Sequence, residues 1–192
     1  MHILTYIVVA GSTRPNRRSP VIARWVADLG EHVANAHFQV IDLGELGLGL
    51  DDEAGIPAIH GYKQETTRAW GELVAHATGV VIVTPQYNWG YPAVLKNAID
   101  HLYREWQGKP VLIVTYGGHG GHQCGEQLRT VLGALGTRLT DAMPGLLLTR
   151  ETVAANDGRI DPARDFSDHA DDVRAALTEL AALSASDTIT IG

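Results

Sequence analysis

Cysteine is nearly missing from this chain. Its 192 residues hold one, Cys124, which excludes an intrachain disulfide and makes the cytoplasm the default expectation. Basic residues are the minority: 15 Lys and Arg against 22 Asp and Glu leave a net charge of −7, so the chain lacks the positive surface that general nucleic-acid binding requires. Long uncharged apolar runs are missing too, which excludes a transmembrane helix. The N-terminus has no basic region ahead of its short apolar run, and a glycine and arginines follow in place of a small-residue cleavage site. Residues 3–10 are therefore expected to form a first strand and not a signal peptide. Neither a Walker loop nor G-x-G-x-x-G is present, so no polyphosphate motif is either. The absence of a C-x5-R loop, of G-x-S-x-G and of an acid cluster after the first apolar run argues against a phosphatase, a serine hydrolase and a phosphoacceptor receiver.

What is present alternates. Apolar runs cover roughly residues 3–10, 37–43, 79–84, 110–116 and 138–148, the last interrupted at Met143-Pro144. The first, third and fourth are rich in Val, Ile and Leu without strict alternation, as in strands covered on both faces. Between them, helical spacing marks the segment carrying Val21, Ile22, Trp25, Val26 and Leu29, then residues 67–77, 93–103 and 126–135, with a last helix over 164–183. Five strand–helix repeats predict an α/β three-layer sandwich with a parallel sheet and helices on both faces. The flavodoxin-like strand order 2-1-3-4-5 is the expected one, and a half Rossmann sheet is the competitor. A single domain is expected over residues 1–183, with a tail over 184–192. Residues 44–61 read as a long glycine-rich loop, functional or mobile, with Asp51-Asp52-Glu53 solvated.

Three strand-to-helix loops are expected to meet on one edge of this sheet. The first runs from Gly11 to Pro20. It offers the hydroxyls of Ser12, Thr13 and Ser19, and it opens an arginine cluster of Arg14, Arg17, Arg18 and Arg24. A helix N-terminus receives phosphate through its free N–H groups and its dipole, and Arg14 can grip phosphate oxygens in a fork. A solvated loop is the alternative for the arginines. Ser19 is also placed to cap the helix, with Pro20 at its first position. The second loop, Pro85-Gln86-Tyr87-Asn88-Trp89-Gly90-Tyr91-Pro92, sets flat apolar surface beside amide groups on a stiff backbone, as a planar heterocycle with polar edges requires. The third, Tyr116 to Gly125, bares its backbone through Gly117, Gly118, Gly120 and Gly121. A phosphate at the first loop and a flat ring between the other two make the shape of a mononucleotide. His119, His122 and Cys124 do not follow zinc-site spacing, so no metal is expected.

Gly11-Ser12-Thr13-Arg14, Pro85-Gln86-Tyr87-Asn88 with Pro92 and Leu95-Lys96-Asn97-Ala98-Ile99-Asp100, and Gly117-Gly118-His119-Gly120-Gly121 give the chain its likeness to a known family. It resembles the NADPH-dependent FMN reductase-like proteins, flavodoxin-fold enzymes that include quinone, azo-dye and chromate reductases. The resemblance implies an FMN-dependent oxidoreductase, taking hydride from NADPH or NADH and passing it to a small acceptor: a quinone, a free flavin, an azo compound or a metal oxyanion. It implies no catalytic side chain, because the cofactor carries the chemistry. Ser12, Arg14 and Ser19, with nearby backbone, Arg17 and Pro20, would hold FMN phosphate. Pro85, Gln86, Tyr87 and Asn88 would line the ring, and Gly117, Gly118 and His119 would touch its pyrimidine edge. Arg17 and Arg18 would also be available to the 2′-phosphate of NADPH.

The family usually has Glu at the position of Gln86; an amide facing the ring would raise the flavin potential. The first loop is longer than the family's G-S-x-R-x-x-S, which leaves open which arginine meets the phosphate. Relatives use the helix starting near Lys96 for subunit contacts, so a homodimer or homotetramer is expected, with Trp89 and Tyr91 at the site entrance. A flavodoxin-like electron carrier without its own NAD(P)H site is the alternative function, and a binding or sensor protein with an empty site is a third.

Overall fold

The computed structural model describes residues 4–34, 36–155 and 157–185. Its sheet is built on β1 (Thr5–Ala10), β2 (His37–Asp42), β3 (Gly79–Pro85) and β4 (Pro110–Gly117). The fifth run forms two short pieces, β5 (Arg138–Leu139) and β6 (Gly145–Leu147), and both pair with β4. Pro144 lies in the break. It cannot donate to a ladder, but its carbonyl still accepts from Thr115 N at 2.9 Å, so pairing with β4 resumes beyond it. Every pairing is parallel and the order is β2-β1-β3-β4-β5, with helices on both faces: the flavodoxin-like arrangement.

The near-continuous apolar runs have the cause expected of them. All seven residues of β3 are buried, as are the first seven of β4. Alternate side chains then feed two cores. Tyr6, Val8, Val81, Val83, Leu112 and Val114 face α1 (Ser19–Ala34) and a C-terminal helix (Ala170–Ala185). Ile7, Val9, Val80, Ile82, Val111 and Ile113 face α2 (Glu65–His76), α3 (Ala93–Asp100) and α4 (His122–Ala134). Gly30 lets α1 close on the sheet: a Cβ there would lie 2.6 Å from the Phe38 ring.

Several boundaries move for local reasons. The helix expected from residue 126 starts at His122, because Gly120 and Gly121 turn the chain at φ of 73° and 84°. The expected 164–183 helix is divided into α6 (Pro162–Asp165), a 3-10 turn at Ser167–His169 and α7 (Ala170–Ala185), so Ser184 and Ala185 belong to a helix. A short α5 (Arg150–Ala154) was not expected. The remainder of the expected tail, 186–192, lies outside the described residues, as do residues 1–3 and with them the start of the first expected strand.

The long 44–61 loop is fastened onto α3. Asn97 donates to Gly49 O at 2.8 Å, and its own amide oxygen accepts from Asp51 N at 2.9 Å. Buried His101 meets the same Gly49 carbonyl at 3.0 Å and Thr67 Oγ1 at 2.8 Å. The acidic triplet is not simply solvated: Glu53 accepts from Lys63 N and Gln64 N, and those bonds hold its carboxyl below the usual range against a desolvation that pushes it up. No helix among the described residues is long and apolar enough to cross a membrane.

Leu112 sits fully buried at the centre of β4. Leu112→Ala should cost about 2–5 kcal/mol through lost burial and the cavity left behind. Urea unfolding should show a lower midpoint at an unchanged slope.

Candidate functional site

The carboxyl ends of β1, β3 and β4 lie side by side, and the three loops leaving them are tied together by their own side chains. Gly11 N donates to Val83 O at 2.8 Å, and a Cβ on Gly11 would come within 3.0 Å of that oxygen. The first loop therefore starts flush against β3. Ser12, buried, shares a hydrogen bond of 2.6 Å with the Tyr87 hydroxyl of the second loop. Arg14 lays its guanidinium 3.8 Å from the centre of the Tyr87 ring, a cation–π contact. Ser19 bonds the hydroxyl of Tyr116, at the end of β4, at 2.7 Å. That bond takes the place of the cap expected of Ser19. The first helical N–H groups, on Val21 and Ile22, reach Arg18 O, so α1 begins one residue early and half-buried Pro20 is its second residue.

The second loop is a two-residue hairpin. Tyr87 and Gly90 exchange backbone bonds of 2.8 and 3.0 Å, and Asn88 and Trp89 stand at φ of 48° and 72° between them. Positive φ at both central residues defines a type I′ turn, in which Asn suits the first position and Gly the second. A left-handed L-residue costs about 1–2 kcal/mol, and Trp89 carries that cost. Gln86 lines the site, but its amide oxygen accepts from Cys124 N at 3.2 Å, at the start of α4. The amide oxygen is thus committed to a helix N-terminus.

The third loop is open where the others are closed. A Cβ on Gly118 would meet nothing within 4 Å, and one on Gly117 only Gln86 Cβ at 3.8 Å. Nothing inside the fold explains two small residues there; they leave room beside the cavity. Gly121 does have an internal reason, since a Cβ there would lie 2.8 Å from Thr115.

Pro85, Gln86 and Tyr87 line one side of a cavity of about 570 Å³, and Tyr116, Gly117 and Gly118 line another. Ser12, Arg14, Ser19 and Pro20 are not part of that lining; Ser12 and Arg14 contact Tyr87, and Ser19 bonds Tyr116, which are part of it. Exposed Asn88 and His119 stand outside the lining. Arg17 is turned away: its guanidinium is held 2.5 Å from Asp42 at the end of β2. Arg18 takes the place expected of Arg17. It lines the cavity, donates to Gly158 O at 3.0 Å and keeps a buried Nε without a partner.

Leu148, Thr149, Arg150, Val153, Ala154, Asp157 and Gly158 line the remaining side, a role that was not anticipated for them. The one local signal there was Thr149, which caps α5 by accepting from Thr152 N at 3.1 Å. Burial pushes the Tyr116 hydroxyl far above its ordinary value, so it stays a hydrogen-bond donor at any physiological pH. A larger cavity, about 730 Å³, lies between β1 and α2 at the amino end of the strands, away from the loops that carry the polar groups.

An open parallel sheet with a mononucleotide-sized cleft at its switch point defines a flavodoxin-like protein. Solved structures agree on the fold. The flavoenzyme NAD(P)H:(acceptor) oxidoreductase FerB of Paracoccus denitrificans superposes with a TM-score of 0.72 at 22% identity, covering 96% of this chain and 98% of its own. Sequence comparison is more specific. The family described as NADPH-dependent FMN reductase matches residues 4–143. An NAD(P)H-dependent FMN reductase of Schizosaccharomyces pombe is 46% identical over 183 residues, 94% of this chain and 90% of its own length. A quinone reductase of Escherichia coli is 36% identical over 137 residues, 67% of this chain and 69% of its own. The chain belongs to the NADPH-dependent FMN reductase family.

Two outcomes follow from the floor of the site. Gln86→Glu would place a carboxylate on the α4 N-terminus and should add about 0.3–1 kcal/mol in urea unfolding; a loss of stability would contradict the bond to Cys124 N. Burial pushes the Cys124 thiol up to about 11. At pH 8 the native thiol is then almost wholly protonated, so iodoacetamide should label folded protein far more slowly than unfolded. The unfolded thiol loses its proton first, near 8.5. The stability owed to the neutral thiol is therefore full below that pH and is lost as pH climbs toward about 11.

Proposed function

We propose that this protein is an FMN-dependent NAD(P)H oxidoreductase that reduces small acceptors, quinones foremost. The observation that carries the reading is the joining of the phosphate loop to the ring-binding loop, through Ser12 to Tyr87 and Arg14 over the Tyr87 ring. The residues fit FMN: Arg18 keeps a buried, unpartnered Nε beside the cavity, and Gly117 and Gly118 leave open a space that no side chain fills. When bound, FMN supplies the capacity to accept a hydride and return the electrons to a second substrate.

The chain's own groups bind and orient. Ser12, Arg14, Arg18 and Ser19, with the N-terminus of α1 at Pro20, would hold the phosphate through charge-assisted bonds. Arg17 would act behind them, fixing the first loop to β2 through Asp42. The backbone of Pro85 and Gln86, with Tyr87 and Asn88, would support the ring, and Gly117, Gly118 and His119 would meet its polar edge. Residues 148–154 would shield the remaining side from water.

We also propose that residues 1–183 act as one FMN-binding domain, since both cores share one sheet, and that the single cysteine reflects a cytoplasmic protein. A homodimer is the proposed assembly. Leu50, Ile56 and Ile59 of the loop fastened to α3 are 81%, 58% and 67% exposed, an apolar face that a second copy would cover.

The test is direct. Purified protein should bind FMN, anaerobic NADPH should bleach it, and menadione should sustain steady NADPH oxidation. A one-electron carrier would bind FMN and show neither, and an empty-site protein would not bind FMN at all. Arg14→Ala should weaken FMN binding to apoprotein roughly 10- to 100-fold by fluorescence titration, from loss of one charge-assisted contact. Its urea midpoint should stay near wild type, because Arg14 is exposed.

A further inference from the structure

Trp89 has no contact with the cofactor in the flavin reading, yet its backbone is the least expected in the second loop. Five non-glycine residues among those described hold positive φ: Asn16, Asp51, Asn88, Trp89 and Asp157. Four are Asn or Asp, whose short polar side chains tolerate that region; a bulky residue there is an outlier. Glycine is expected at the position Trp89 occupies. A residue kept against its backbone preference beside a site is a pointer to use.

Packing does not account for it. Trp89 is 66% exposed, whereas Trp25, Trp70 and Trp106 are buried at 9%, 1% and 1%. Its backbone is nonetheless braced. The Tyr87–Gly90 pairing closes the turn, and Gln127 of α4 donates to Trp89 O at 3.2 Å. The tip therefore presents its indole from a fixed frame. The base of that frame, Tyr87, lines the cavity, and Trp89 follows it by two residues on the same hairpin, just outside the lining.

We propose that Trp89 determines acceptor specificity: its indole is an aromatic face on which the ring of a flat, quinone-type acceptor stacks as it enters. The proposal rests on the oxidoreductase reading and deepens it. Stacking favours planar conjugated acceptors over compact inorganic ones.

FMN-loaded Trp89→Gly and Trp89→Phe should be compared with wild type, using NADPH with menadione or with ferricyanide. In Trp89→Gly the KM for menadione should rise about 3- to 10-fold, with the ferricyanide KM within about twofold of wild type, and Trp89→Phe should restore most of the loss. Equilibrium dialysis of menadione against oxidised holoprotein, without NADPH, should show the same order of affinities. Thermal unfolding of Trp89→Gly should occur at or above the wild-type temperature, by up to about 2–4 °C, as the backbone cost is relieved.

Equal changes for both acceptors, no change for either, or a lowered unfolding temperature would overturn the proposal. So would conversion of a dimer to a monomer in Trp89→Gly, which would make the indole an interface residue. Bleaching of bound FMN by NADPH in the same variant separates failure here from failure of the oxidoreductase reading.

Discussion

The register between β1, β3 and β4 is the constraint on which the site depends. Ala10 pairs with Val83 and Pro85 with Tyr116, so the three strands deliver their loops at one level of the sheet. Parallel strands buried on both faces cannot slip by one residue without exchanging the side chains that feed two separate cores. Tyr6, Val8 and Leu112 would be driven into the layer that now holds Ile7, Val9 and Ile113. The cores fix the register, and the register puts Ser12, Tyr87 and Tyr116 within reach of one another.

Two hydroxyl pairs convert that proximity into a shaped cleft. Ser12 with Tyr87 and Ser19 with Tyr116 span sequence separations of 75 and 97 residues. A buried hydroxyl without a partner is costly, so these bonds hold the loops while both tyrosine rings border the cavity.

The floor of the site works differently. Gln86 and Cys124 join the second loop to the N-terminus of α4, where an amide oxygen answers a backbone N–H that no helical carbonyl can reach. A polar side chain in a loop beside a cleft invites a role toward a ligand. The geometry gives the Gln86 amide oxygen a role toward the helix. Arg17 and Arg18 show the same division. They are adjacent in sequence, yet Arg17 turns to Asp42 on β2 and Arg18 to Gly158 near the far wall.

Much of this was readable in the chain. Strand runs such as Val80 to Val83 announce burial on both faces because no polar residue interrupts them, and alternation with helical spacing then leaves few topologies. The conjunction of Ser12-Thr13-Arg14, Pro85 to Pro92 and Gly117-Gly118 pointed to the sheet edge where these loops meet, because short loops after parallel strands must emerge on one edge. What the sequence could not decide was which partner each polar side chain takes. Ser19 suited either a helix cap or a phosphate, yet it bonds Tyr116, and nothing local to Arg150, Val153, Ala154, Asp157 and Gly158 announces the cleft that they line. Local patterns come from forces acting over a few residues, so they belong to the sequence; the choice among equally polar partners is made by distance across the fold, which only the packed cores set.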